Sequence, residues 1–458
     1  MSVRRRRSFS QQNLEARHDG TLGPLLAEAL HVPQASGYTL THAFHPYPGR
    51  FHPHLPRTLL RKLPEAAGLA QPGARVLDPF MGGGTTLVEA RLAGLPSIGN
   101  DLNPIAVLVA RERTRPRTGA QAIQVLNEAR RIAGQVQALR REKNPPRAQL
   151  PGLHRLTPHY APHLLAEMMQ WIRLIDGLPD GPVRHSLRAV FSSAVVKYSN
   201  QATDSETGER KTPTIAKGAP SRFLVLKTEE LVQAQVDLGR LVGLHPAPVR
   251  LLEEDARLLP SLGWGEADLV LTSPPYPGTY DYYLHHRLRL DWLGLDGEAL
   301  LDAELFPRRA QPVPSEAAPS EAALSERRPA PSAVQKPAAQ RSGPSPSAGR
   351  RKPKPAQAPQ RSQRQEAGER SLSSDWRDML VSLARVLKPG GATFLVIGDW
   401  MDQGHAVDGG AVLTRAAQVK GWRLAAQASV RRVPHSKAEH HAFARRGKWE
   451  HLLHLVRD

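Results

Sequence analysis

Cysteine is absent from all 458 residues. That excludes a disulfide framework, a thiolate zinc site and a cysteine nucleophile, and makes a reducing cytoplasm the expected compartment. No apolar run reaches the roughly 18 residues that a membrane-spanning helix needs, so neither a transmembrane segment nor a membrane partner is expected. Arg4 to Arg7, Ser8 and Phe9 run into QQNLEARHDG rather than an apolar stretch, so no export signal is expected. Acids are also in short supply: 43 Asp and Glu face 62 Lys and Arg, a formal charge of +19. Such a balance favours a nucleic-acid partner, because each cation near a phosphate releases condensed counterions. A diffuse compositional bias toward Arg accounts for the charge equally well. Histidines 42, 45, 52 and 54, and the pair 440 and 441, lack acids or cysteines at ligand spacing, so no metal site is expected.

Residues 1–40 are polar and irregular and are expected to form a disordered leader. The spacing of Leu55, Leu59, Leu60 and Leu63 predicts a helix over 54–69, interrupted at Pro64. ARVLDPF at 74–80 then reads as a strand entering a turn, GGGTTLVEARLAG at 82–94 as a helix, and LPSIGND at 95–101 as a second strand. The alternation resumes with VRLLEED at 249–255, ADLVLTSPPY at 267–276, GATFLVIGD at 391–399 and closing strands near 422–432 and 448–456. An α/β fold with a doubly wound, mostly parallel sheet follows. The sheet domain is expected in three pieces, 41–114, 246–302 and 373–458. Between the first two lies a mainly helical insertion, 115–245, with periodic stretches at 119–142, 161–177, 183–198 and 222–243. Its segment 200–220 lacks periodicity and reads as a mobile loop. Residues 303–372 are rich in Pro, Ser, Ala and Gln. Within 307–370 there are 13 Lys or Arg against 5 Asp or Glu and almost no large apolar side chain, the composition of a disordered basic linker.

Two short motifs carry chemistry. In DPFMGGGTT, at 78–86, an acid ends a strand, glycines let a ligand approach the backbone, and a helix N-terminus offers free amides and a positive dipole end. Asp101 closes the next strand, where nucleoside-binding sheets place an acid on ribose hydroxyls. TSPPY, at 272–276, follows another strand of the same sheet, so both motifs should share the carboxyl edge where ligands bind. Its two prolines stiffen the loop, Ser273 offers a hydroxyl and Tyr276 an aromatic face, a set able to grip an amine on a planar base. Taken singly, each motif also reads as a tight structural turn.

Together these residues resemble the DNA amino-methyltransferases, which methylate cytosine N(4) or adenine N(6). DPFMGGGTT resembles that family's cofactor motif, TSPPY its catalytic tetrapeptide, and HPYPGRFHPHLPR at 45–57 the segment that covers the methionine part of the cofactor. RVLKPGGATFLVIGD and KWEHLLHLVRD are similar to its later strands. The resemblance spans about 45–110, 249–295 and 375–458. It implies a Rossmann-like methyltransferase sheet of seven strands with a closing antiparallel strand. It implies S-adenosyl-L-methionine as cofactor, held by Asp78, Pro79, Phe80, Gly82, Gly84, Thr85, Asp101 and Asp255, the last near the adenine amine. It further implies catalysis by Ser273, Pro274, Pro275 and Tyr276 without a metal.

In the mechanism so implied, a base of double-stranded DNA leaves the stack, Tyr276 stacks on it, and Ser273 and the Pro274 carbonyl accept hydrogen bonds from its amine. Ser before Pro-Pro-Tyr is the commoner pattern for cytosine. Adenine methylation, an RNA base-amine methyltransferase and a decayed nucleic-acid-binding protein are the competing readings. Target recognition is expected in 115–245, with His159, Lys197, Tyr198, Lys211, Lys217 and Arg222 as candidate DNA contacts. Arg431, Arg432, Lys437, Arg445 and Arg446 are further candidates for phosphate, and a solvated basic face accounts for either set. In YDYYLHHRLRLDWLG, Leu288, Trp292 and Leu295 are expected in the core. A restriction endonuclease partner and a bacterial or archaeal, nucleoid-associated location go with the resemblance.

Overall fold

In the computed structural model, the described residues are 15–33, 38–50, 52–142, 152–203, 206–209, 215–305, 361–418, 421–434 and 436–457. The chain begins with β1 (Ala16–Asp19), α1 (Gly23–Leu30), α2 (His54–Ala67), β2 (Val76–Asp78), α3 (Thr85–Leu92), β3 (Ser97–Asn100) and α4 (Pro104–Thr114). Next come α5 (Gly119–Leu139), α6 (Leu153–Leu156), α7 (Pro162–Asp176), α8 (Pro182–Tyr198), β4 (Gln201–Thr203), β5 (Glu206–Glu209) and α9 (Ala219–Val242). The sheet resumes with β6 (Val249–Leu252), β7 (Ala267–Thr272), α10 (Tyr282–Leu293), α11 (Glu298–Ala303), α12 (Arg361–Val386) and β8 (Leu387–Gly398). It ends with β9 (Trp400–Asp402), β10 (His405–Val407), α13 (Gly409–Gln418), β11 (Trp422–Arg432), α14 (Lys437–Ala442) and β12 (Lys448–Arg457).

Successive strand residues point to opposite faces, and this parity divides the apolar side chains between two cores. Val76, Leu269, Leu271, Phe394 and Val396 face α1 and α2. Their neighbours Leu77, Val270, Leu395 and Ile397 face α12 and α13. Burial on both faces is why these strands are continuous apolar runs rather than alternating ones. The strand order is β1-β11-β12-β8-β7-β2-β3-β6. Strands β8, β7, β2, β3 and β6 are parallel, and β12, β11 and β1 close the sheet antiparallel. From β2 the chain winds outward to β3 and β6, then crosses back to β7 and β8. The switch point therefore lies between β2 and β7, the position at which open α/β sheets hold ligands.

The doubly wound sheet is as expected, with eight strands rather than seven. The additional strand, β1, comes from the segment expected to be a disordered leader. Leu22, Leu26 and Leu30 repeat every four residues and are buried against α2 and the β11 side chains Ala426, Ala428 and Val430. A single apolar stripe this short is easily lost among polar neighbours, but burial of each leucine contributes about 1.5–3 kcal/mol. Residues 1–14 lie outside the described residues.

The insertion has its expected helices but not a core of its own. Val125 and Ile132 of α5, Met168 and Trp171 of α7, Phe191 of α8 and Leu231 of α9 pack with Ile105 and Val109 of α4. Leu288 and Trp292 of α10 join them as core, with Leu295 half-buried alongside. In place of a mobile loop over 200–220, β4 and β5 form a two-stranded ribbon, while 204–205 and 210–214 lie outside the described residues. Both ends of the segment expected as a linker, 303–372, are structured. Ala303 ends α11 and Leu305 is buried, while the backbone of 361–372 is already helical. That helix continues into an apolar face, Trp376, Met379, Leu380 and Leu383, which packs on the sheet. Residues 306–360 lie outside the described residues. Pro64 does not interrupt α2. Among the described residues, no helix is long and apolar enough to cross a membrane.

Candidate active site

Asp78 ends β2 with its side chain turned under the sheet edge. Its Oδ1 accepts from the Phe80 amide at 3.2 Å and from the Thr272 hydroxyl at 2.6 Å, so one carboxylate joins the ends of β2 and β7. Burial pushes its carboxyl up to about 6, against the opposing pull of those hydrogen bonds. The glycine turn then crosses the edge. Gly82 (φ +47°) and Gly84 (φ +79°) are left-handed, and a side chain at either would meet a neighbour, the Tyr47 ring at 3.2 Å or Ala110 Cβ at 2.9 Å. The Gly82 amide donates to Asp101 Oδ2 and the Asn103 amide to Oδ1, both at 2.9 Å. Burial pushes the Asp101 carboxyl up to about 7, with Asp78 and Glu253 adding to it.

These pieces line a common cavity that opens to solvent, about 630 Å³ when the space at its mouth is included. Pro79, Phe80, Gly82, Asp101 and Leu102 form one side, and Glu254, Asp255 and Ala256 the next. Ser273 and Pro275 come from the loop after β7, and Tyr47, Gly49 and Tyr282 complete the far wall. Seven of the expected site residues therefore line one cavity: Pro79, Phe80, Gly82, Asp101, Asp255, Ser273 and Pro275. Asp78, Gly84, Thr85, Pro274 and Tyr276 do not line it. Asp78 and Thr85 are buried beneath the turn, and Gly84 caps α3. The Asp255 carboxylate is engaged by Arg257, which donates to both oxygens and also to Asp375.

The Tyr276 ring packs over Gly398, and its hydroxyl lies 3.3 Å from both Ser273 Oγ and Glu450 Oε1. Tyr47 belongs to the 45–57 segment already singled out. Its hydroxyl accepts from Asn103 Nδ2 at 3.2 Å and its ring stacks on His286 with centroids 4.9 Å apart. Sequence reasoning missed Glu254, Tyr282 and the strap Leu300–Leu305. Glu304 accepts from the Tyr282 and Tyr283 amides, which clips that strap to the first turn of α10. Glu254 could have been suspected from its neighbour Asp255, but nothing in the local sequence marks Glu304.

The candidate cations divide by exposure. Lys217 and Arg222 are exposed at the start of α9. His159 bonds Asn200, Lys197 lies over the Phe223 ring and Tyr198 is buried with its hydroxyl on the Ala219 carbonyl. Lys211 lies outside the described residues. Arg432 is not placed for phosphate, because its fully buried side chain is paired with Glu450. Arg446 pairs with Asp399 and Asp408. Arg431, Lys437 and Arg445 are exposed or half-exposed near the closing strands.

No family model matches the chain. The type II methyltransferase M.MvaI of Kocuria varians is 26% identical over 275 residues, covering 56% of this chain and 58% of its own length. The type II methyltransferase M.MjaII of Methanocaldococcus jannaschii is 39% identical over 69 residues, 15% of this chain and 12% of its own. The chain thus spans less than two thirds of the length of either relative. Among solved structures, TrmN from Thermus thermophilus aligns at a TM-score of 0.32 and 14% identity, over 90% of this chain and 50% of that one. A score that low carries no weight, and the fold is read from the strand order itself.

Proposed function

From the chain's sequence kinship with the type II methyltransferases, which supports its resemblance to the DNA amino-methyltransferase family, we propose that it is an S-adenosylmethionine-dependent DNA methyltransferase acting on an exocyclic base amine, in the first place cytosine N(4). The observation that carries this reading is the single cavity in which the turn after β2, Asp101, Asp255 and the Ser-Pro-Pro loop after β7 meet.

The residues present fit the cofactor. Pro79, Phe80, Leu102 and Ala256 offer flat apolar walls for an adenine ring, and Glu254 and Asp255 offer acceptors for its amine. Asp101 stands where ribose hydroxyls would reach it, and Gly82 presents backbone without a Cβ. When bound, S-adenosylmethionine supplies a methyl group on a sulfonium, a donor that is already activated. The chain's own work is then alignment and proton handling. Ser273 Oγ, which lines the cavity, accepts a hydrogen bond from the amine and draws its lone pair out of conjugation with the base. Pro275 bounds the space beside it. Flipping the base costs a few kcal/mol, which contacts in this pocket must offset.

Cytosine is favoured because Ser, rather than Asp or Asn, precedes Pro-Pro-Tyr. The test is to incubate the protein with duplex DNA and methyl-labelled S-adenosylmethionine, digest to nucleosides and identify the product by mass. N(4)-methylcytosine is expected. Label on adenine alone would overturn the base assignment, label reaching only RNA would overturn the DNA assignment, and absence of cofactor binding would overturn the enzyme reading.

A further inference from the structure

Behind the cavity, polar groups run in a line from the Ser-Pro-Pro loop into the sheet. Ser273 Oγ is 3.3 Å from the Tyr276 hydroxyl, which is 3.3 Å from Glu450 Oε1. Glu450 sits on β12 directly across from Gly398 of β8. The Tyr276 ring lies over that glycine, where a Cβ would come within 2.8 Å of it, so a larger residue at 398 would push the hydroxyl out of line. The other carboxylate oxygen of Glu450 accepts two bonds from Arg432, at 3.0 and 2.7 Å. The two side chains are 8% and 0% exposed. Arg432 also donates to the Leu30 carbonyl at 3.3 Å, which roots the line in α1.

Chemistry assigns the direction of each bond. A guanidinium can only donate and a carboxylate can only accept. Tyr276 must therefore donate to Glu450, and burial keeps its phenol protonated well above the usual range, with Glu450 reinforcing this. With its proton committed, the Tyr276 oxygen has only lone pairs left for Ser273, so Ser273 donates to it. The lone pairs of Ser273 are then what it offers to the cavity that it lines.

We propose that Glu450, anchored by Arg432, is a positioning residue that sets the hydrogen-bond polarity of the loop. It commits Ser273 to accepting, so that the site takes an amine-bearing base and rejects the carbonyl-bearing counterpart. The proposal rests on the reading of Ser273 as the group that holds the base. An amine donates into this position, whereas a carbonyl oxygen would face a second acceptor and leave both unsatisfied, which is a strong basis for discrimination. The opposite polarity would invert the preference.

Two substitutions test it. In Glu450→Gln, Arg432 still demands an acceptor and takes the amide oxygen, which turns the amide NH₂ toward Tyr276. The line then reverses: Tyr276 donates to Ser273, and Ser273 donates into the cavity. Tyr276→Phe merely removes the link and leaves the Glu450–Arg432 pair intact. The wild type should bind deoxycytidine over deoxyuridine and deoxyadenosine over deoxyinosine, read by saturation-transfer NMR on the cofactor-free protein. Tyr276→Phe should lower that preference and reduce kcat about tenfold, with the KM for S-adenosylmethionine unchanged. Glu450→Gln should fall further, toward a hundredfold, and adding Tyr276→Phe to it should recover activity to the level of the single phenylalanine variant. A residue supporting the fold alone would give no such recovery. An amine preference unchanged in Tyr276→Phe would overturn the proposal even if Glu450→Gln fails to fold, and so would additive losses in the double variant. A wild type that methylates no base would overturn the underlying functional reading instead.

Discussion

The glycine turn and the wall behind Tyr276 flank one cavity, yet they are assembled in opposite ways. The turn closes within one strand-helix-strand unit: Asp78 holds Phe80, and Asp101 holds Gly82 and Asn103. The wall needs contributions from α1, β8, β11, β12 and the loop after β7, in the forms of Leu30, Gly398, Arg432, Glu450 and Tyr276. A ligand seat that depends on backbone shape can be written locally. One that depends on the polarity of a buried hydroxyl requires a charge delivered from elsewhere, because burial of a lone carboxylate is costly without a partner.

The largest effect should come from breaking the support of the wall. Leu26 is fully buried between α1 and the sheet, and Leu26→Ala should cost about 2–5 kcal/mol of stability, read as a lowered midpoint of denaturant unfolding. Stability equal to the wild type would mean that residues 15–33 are dispensable to the fold after all.

Next is the turn. Asp78→Ala leaves the Thr272 hydroxyl and the Phe80 amide without their acceptor, at about 1–3 kcal/mol for each buried group. Because the lost bonds join the two strand ends that carry the motifs, we expect S-adenosylmethionine affinity to fall by roughly a hundredfold in a calorimetric titration. Undiminished affinity would separate the turn from the cofactor seat.

The smallest effect is one of pH. With its carboxyl raised to about 7 by burial, then by Asp78 and Glu253, Asp101 exchanges its proton near neutrality. Accepting ribose hydroxyls favours the ionised form, so cofactor affinity should rise as pH increases through about 7, by up to about tenfold for each unit below that value, and Asp101→Asn should flatten the profile. The contribution of Asp101 to the stability of the free protein runs the other way. The folded pKa lies above the unfolded one, so the folded chain keeps a proton at Asp101 that the unfolded chain releases, and this contribution to stability declines as pH rises from about 4 toward 7. An Asp101→Asn variant whose stability relative to the wild type does not rise over this interval would contradict the burial of Asp101.

Legibility followed the same division. The parallel strands, the helices of the insertion and α10 could be read from apolar runs and periodicity, because each repeats a local pattern over several residues. So could Pro79, Phe80, Gly82, Asp101, Asp255, Ser273 and Pro275, which the fold brings to one cavity. The strap carrying Glu304 could not, since it follows α10 without a motif and falls partly within the bounds read as linker. Nor could the buried state of Arg432, which in sequence is one more cation in a basic chain.

By itself, then, the sequence determined the repeating α/β units, the two strand ends that carry the motifs and the turn between Asp78 and Asp101, all of which rest on short-range sterics and hydrogen bonds. Tertiary structure alone decided that 15–33 would complete the sheet, that Asp78 would lie beneath the cavity rather than on it, and that Tyr276 would point its hydroxyl at Glu450. Those outcomes depend on which distant side chain occupies the facing position in a close-packed core, where residues 174 apart in sequence meet at 3.3 Å. No local pattern encodes that meeting.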